Sequence, residues 1–299
     1  MKKIANINRI DLCYEIFGED HHENIVLISG LGSQMIRWDD LFCRLLVEKG
    51  FRVIRFDNRD SGQSVFKPEK ELNFDKGIQQ VFAELGKDDI PYSLMHMAED
   101  VIGLMDYLHI EKAHIAGRSM GGVIAQLLGS FFPERVLTLA IIMSTSLRPT
   151  LPPSNPDVMT MMMQPKINPL VDKEGYIREK LLFAEKTHGS RYPLDQKKER
   201  AIIEEESERS QTKNGVFRQL IAMGSLEYDA EVLRKIRVPV LVIHGTEDPI
   251  FHPDCGKDIA TTIPNSELIV IEGMGHSIPA ELYPFVCENM AELCKNRIL

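Results

Sequence analysis

Ser119, Asp248 and His276 are residue types that could perform nucleophilic chemistry together, and each follows an apolar run. A serine hydroxyl is a weak nucleophile at neutral pH. It needs a base within hydrogen-bond reach, and the base needs an orienting acid. Ser119 is the centre of Gly117-Arg118-Ser119-Met120-Gly121, a G-x-S-x-G pentapeptide. Residues 113–116 just upstream are apolar and read as a buried strand. Downstream, Val123, Ile124, Leu127, Leu128 and Phe131 recur at helical spacing. A strand that turns sharply into a helix makes the pentapeptide a nucleophile elbow, which points the hydroxyl outward. Side chains at 117 or 121 would crowd the strand and helix, so both positions are glycine. Asp248 lies in Gly245-Thr246-Glu247-Asp248-Pro249, after the run at 238–244. His276 closes Glu272-Gly273-Met274-Gly275-His276, after the run at 268–271. Glu247 and Asp254 are the competing acids nearby.

These groups need a scaffold that brings strand ends together. Residues 25–29 form a continuous apolar run, typical of a strand buried on both faces, and end in Gly30-Leu31-Gly32-Ser33. A helix is expected over 38–47 and a strand over 52–56, ending in the polar turn 57–64. An amphipathic helix follows at 94–108, then the elbow, then a strand at 136–143. Alternating strands and helices imply a mostly parallel sheet covered on both faces. The pattern breaks over 145–236, a proline-punctuated and then charged helical stretch, and resumes at 238. A last helix is expected at 280–296. In such sheets, reactive groups gather in the crevice at the carboxyl ends of the strands.

The chain order serine, acid, histidine is that of the α/β-hydrolases. The segments GLGSQMIRW, DNRDSGQS, GRSMGGVIAQ and PERVLTL resemble the esterase branch of that superfamily, the one that includes aclacinomycin methylesterase-type enzymes. The resemblance covers nearly the whole chain. It implies an α/β-hydrolase fold: a mostly parallel central sheet of about eight strands, helices on both faces and a helical lid. The core would be 1–144 and 237–299, and the lid (cap) insertion 145–236. It also implies cofactor-free hydrolysis of a small-molecule ester by Ser119, Asp248 and His276. An oxyanion hole needs two backbone N–H donors. Met120, after the nucleophile, supplies one. By the family pattern Leu31 supplies the other, with Gly32 the neighbouring register. Ser29 stands where many relatives carry histidine.

Composition narrows the classes. At 43% hydrophobic and 26% charged, the chain has ordinary globular usage. Its net charge of -9 argues against a nucleic-acid partner, which needs basic patches. Five scattered cysteines without C-x-x-C indicate neither a disulfide framework nor a zinc site. No run approaches the roughly 20 apolar residues of a membrane helix, and the first residues lack a signal-peptide core. A cytoplasmic protein without membrane contact is therefore expected. No metal is expected, since H-E-x-x-H is absent. No dinucleotide is expected either, since Met35 breaks G-x-G-x-x-G after Gly32. His114 and His244 read as core histidines. Asp57, Arg59 and Asp60 read as structural bracing. Met159, Met161, Met162 and Met163 read as lid packing, although methionine also suits an adaptable pocket.

Three alternatives share these residues. One is a perhydrolase or acyltransferase, in which peroxide or an alcohol replaces water. Another is a carbon–carbon bond hydrolase. The third is a non-catalytic ligand-binding member of the fold. Product assays separate the first two from ester hydrolysis, and tight binding without turnover marks the third. Substrate-binding residues and oligomeric state are not legible in the sequence.

Overall fold

The computed structural model describes residues 1–74, 77–164, 167–212, 214–227 and 229–295. Its strands are β1 (Lys3–Ile7), β2 (Ile10–Phe17), β3 (Glu23–Ile28), β4 (Phe51–Phe56), β5 (Ala113–Arg118), β6 (Val136–Ile142), β7 (Val240–Gly245) and β8 (Ser266–Ile271). They form one sheet in the order β1-β2-β4-β3-β5-β6-β7-β8. The β1–β2 and β2–β4 pairs are antiparallel, and every later pair is parallel. The central strands β5 and β7 are buried almost throughout, as continuous apolar runs require. Edge strand β1 alternates in burial over residues 4–7, and edge strand β8 is buried only at Ile271.

The helices are α1 (Asp40–Glu48), α2 (Ile78–Glu84), α3 (Leu94–Tyr107), α4 (Met120–Phe131), α5 (Pro156–Met163), α6 (Lys173–Thr187), α7 (Gln196–Arg209), α8 (Gly215–Gly224), α9 (Ala230–Arg234), α10 (Pro253–Thr262) and α11 (Tyr283–Lys295). Phe42 and Leu46 of α1 join Val286 and Met290 of α11 on one face of the sheet. Val101 of α3, Ile124 of α4, Leu233 of α9 and Ile259 of α10 cover the other. The expected α/β-hydrolase architecture is therefore present, with eight strands and helices on both faces.

Some boundaries differ from expectation for local reasons. The helix expected from Trp38 begins at Asp40, because the Asp39 side chain caps it by accepting from Leu41 N–H. Residues 35–37 form a separate 3-10 turn. The helix expected over 280–296 opens as a 3-10 turn at Ala280–Leu282 before α11, and residue 296 lies outside the described residues.

Helices α5 to α9 lie between β6 and β7. Of the stretch 145–236, residues 165, 166, 213 and 228 lie outside the described residues. Its last helix, α9, contributes Leu233 to the core cluster beside α4. Buried charge ties α7 and α8 to the sheet. Arg37 bonds Glu199 at 2.6 Å and Glu206 at 2.7 Å. Arg209 of α7 reaches Asp57 at 2.6 Å, and Arg218 of α8 makes a two-point contact with Asp60 at 2.7 and 2.8 Å. Asp57 and Asp60 are buried in the turn after β4, so the expected bracing role of that turn extends to the insertion. Arg59 in the same turn pairs with Asp100 of α3. Tyr92 also donates to Asp60, at 2.9 Å.

Removing one partner of a buried pair strands the other charge, which costs about 3–5 kcal/mol. Arg218→Met should therefore lose about that much in urea unfolding. Adding Asp60→Asn should restore a large part, because asparagine tolerates the positive φ of 66° found there. A loss below about 1 kcal/mol would mean that Arg218 is not holding the insertion.

Candidate active site

The elbow is built by close backbone approach. Ser119 sits between β5 and α4 at φ 55° and ψ -124°, a region that a side chain rarely occupies. A Cβ at Gly117 would lie 2.1 Å from the Gly121 carbonyl oxygen. A Cβ at Gly121 would lie 2.3 Å from that of Ile28 in β3. Both glycines are thus sterically required, as expected. Ser119 N–H donates to the Ile142 carbonyl at 2.9 Å, and the Ser144 hydroxyl donates to the Ser119 carbonyl at 2.7 Å. The strained turn is therefore held by β6 and the residues after it.

The structure brings the three sequence-selected side chains together. His276 Nε2 lies 2.9 Å from Ser119 Oγ, and His276 Nδ1 lies 2.7 Å from Asp248 Oδ2. The other Asp248 oxygen accepts from the N–H groups of Ile250 and Phe251, both at 2.9 Å. Burial by itself would raise the Asp248 carboxyl. The His276 charge, with hydrogen bonds from His244 and His276, outweighs it and holds Asp248 well below the usual carboxylate range. Of the competing acids, Glu247 instead accepts from Ser190 N–H and its hydroxyl at 2.7 Å, and Asp254 pairs with Lys257.

The loop that holds the oxyanion candidates approaches the nucleophile at Gly30. A Cβ at Gly30 would sit 3.0 Å from Ser119 Cβ. Ser33 N–H donates to the Gly30 carbonyl at 3.2 Å, closing a turn whose third residue, Gly32, has φ 63°. Among the described residues, neither Leu31 N–H nor Met120 N–H has a hydrogen-bond acceptor. Met120 opens α4, where the first N–H groups have no partner within the helix.

Several contacts at the site have no local sequence signal. His244 reads as a core histidine, yet its Nε2 lies 3.3 Å from Asp248 Oδ2 and 2.8 Å from the Phe251 carbonyl. A carbonyl only accepts, so that nitrogen carries the proton. Thr187 and His188, at the end of α6, accept from the N–H groups of His276 and Gly275 at 2.6 and 3.0 Å. Gln219 of α8 accepts from Gly32 N–H at 2.7 Å. The contacts of Thr187, His188 and Gln219 join segments far apart in the chain, so only the fold reveals them. His114 does match its core reading, with Thr138 and Glu23 each 2.8 Å from a ring nitrogen.

Comparison with known proteins agrees with this architecture. The chain is 27% identical over 297 residues to the rhodomycin D methylesterase DnrP of Streptomyces peucetius, covering 92% of each. It is 24% identical over 259 residues to the putative carbamate hydrolase RutD of Pseudomonas syringae pv. syringae, covering 85% of this chain and 86% of that one. The crystal structure of the enol-lactonase from Burkholderia xenovorans superposes with a TM-score of 0.71 at 21% identity, covering 98% of this chain and 100% of that one. That likeness concerns the fold. Residues 23–281 match the family described as the alpha/beta hydrolase fold, and the chain belongs to that family.

Proposed function

We propose that this chain is a serine hydrolase of carboxylic esters, acting through an acyl-enzyme on Ser119. The observation that carries the reading is the continuous hydrogen-bonded line from Ser119 Oγ through His276 to Asp248. Ser119 Oγ attacks the ester carbonyl carbon while His276 Nε2 takes its proton. Asp248 holds the imidazole in the required tautomer and stabilises its charged form. Leu31 and Met120 N–H groups hold the negative oxygen of the tetrahedral intermediate. Collapse of the intermediate breaks the bond to the alcohol oxygen, which leaves with the proton from His276. Water then adds to the acyl carbon, giving its proton to His276, and the acid departs as Ser119 regains its proton. No cofactor is needed for these steps.

The similarity to rhodomycin D methylesterase supports methyl esters of larger molecules as the first substrates to try. In this proposal residues 1–144 and 237–299 form the catalytic core, and 145–236 act as a lid over it. The ester is a small-molecule partner. No helix among the described residues is long and apolar enough to cross a membrane.

Methyl and p-nitrophenyl esters should be turned over by the wild type. Ser119→Ala and His276→Ala should each lose at least about 10⁴-fold in kcat. Full activity in either variant would remove that residue from the mechanism. A histidine base acts only when neutral, so kcat should rise with pH between about pH 5 and pH 8. Asp248 has a lowered pKa, so its stabilising ionisation persists through that window and is lost only as pH falls below the usual carboxylate range. Activity should therefore fall at pH 5 while circular dichroism stays native. A flat profile from pH 5 to 9, with chemistry limiting, would contradict the base.

A further inference from the structure

We propose that Gln219, carried by the insertion helix α8, is a positioning residue that fixes the oxyanion loop and leaves Leu31 as its free donor. This rests on the ester-hydrolase reading above. The Gln219 side chain is fully buried, and three contacts define its amide. Gly32 N–H can only donate, so the atom 2.7 Å from it is Oε1. The Arg59 carbonyl can only accept, so the atom 2.7 Å from it is Nε2, which also donates to Ser61 Oγ at 2.9 Å. The orientation is thus fixed by its partners, and both amide donors are engaged.

One side chain therefore clips two loops together: the one after β3 and the one after β4. Helix α8 is itself seated firmly on the second of these. A Cβ at Gly215 would lie 2.0 Å from the Asp60 carbonyl oxygen, and Arg218 holds the Asp60 carboxylate. Val216 packs against the oxyanion loop as well, where a Cβ at Gly32 would lie 2.9 Å from its Cγ2.

The consequence is chemical. With Gly32 N–H engaged by Gln219, Leu31 keeps the free N–H in the turn that abuts Ser119 at Gly30, and Gly32 is excluded as the second donor. The hole is complete only with α8 in place. An oxyanion donor that must be aimed within a few tenths of an ångström is sensitive to such support.

The test compares the wild type, Gln219→Met, Gln219→Asn and Ser61→Ala with a p-nitrophenyl ester. The second readout is an aryl boronic acid, whose adduct on Ser119 mimics the tetrahedral anion. Gln219→Met should lower kcat by about 10- to 100-fold, less than the loss of a whole donor, with KM within about threefold. Boronate affinity should fall in parallel. Ser61→Ala, which leaves the Gly32 contact intact, should stay within about threefold of wild type. Gln219→Asn, one methylene too short to span both loops, should lie between and carries the test if Gln219→Met does not fold. Slow exchange of the Gly32 amide hydrogen in the wild type, lost in the Gln219 variants, is expected alongside. Folded Gln219 variants with wild-type kcat and boronate affinity would overturn the inference, as would a change in KM alone. A folded wild type that neither cleaves esters nor binds boronate would overturn the hydrolase reading, and the inference with it.

Discussion

The site depends on one steric constraint, the left-handed backbone at Ser119. Such a conformation persists only where its surroundings over-determine it. Here Gly117 and Gly121 let the elbow approach its own helix and β3, closer than any Cβ would permit. Gly30 lets the neighbouring loop lie against Ser119 Cβ. The hydrogen bonds from Ser119 to β6 and from Ser144 back to Ser119 close the cage. The same compression that strains the turn places the serine hydroxyl beside the start of α4, where unpaired N–H groups gather.

A second layer of order comes from the insertion between β6 and β7. It is bonded to the loops that follow the strands. The end of α6 accepts hydrogen bonds from the loop that carries His276, and Ser190 binds Glu247 beside Asp248. Helix α7 is fastened by Arg37 and Asp57, and α8 by Asp60. Buried ion pairs contribute little net stability compared with apolar packing, but they are costly to break one side at a time. They therefore fix where the insertion sits rather than how strongly the domain folds. The loops that carry His276 and Asp248, and the loop after β3, are each bonded to the insertion.

Legibility in the sequence follows this division. The sheet, its helices and the three side chains could be read because each depends on a local pattern: an apolar run, a glycine turn, a residue just past a strand. The resemblance to the family favours Asp248 over Glu247, and Glu247 faces Ser190 instead. The insertion is opaque in the sequence for a physical reason. Its buried positions include Glu206, Arg209, Arg218 and Gln219, which hydropathy assigns to solvent. Their partners lie more than a hundred residues away, so no periodicity announces them. His244 is the core histidine its sequence context implies, and its contact with Asp248 adds an electrostatic role that burial alone does not reveal.

The proposed mechanism requires that His276 activate Ser119. Labelling with a fluorophosphonate probe, read by intact mass and peptide mapping, tests it most directly. A single adduct at Ser119 is expected in the wild type, and none in Ser119→Ala or His276→Ala. No adduct in the folded wild type, or labelling of His276→Ala at the wild-type rate, would contradict an assembled and activated nucleophile.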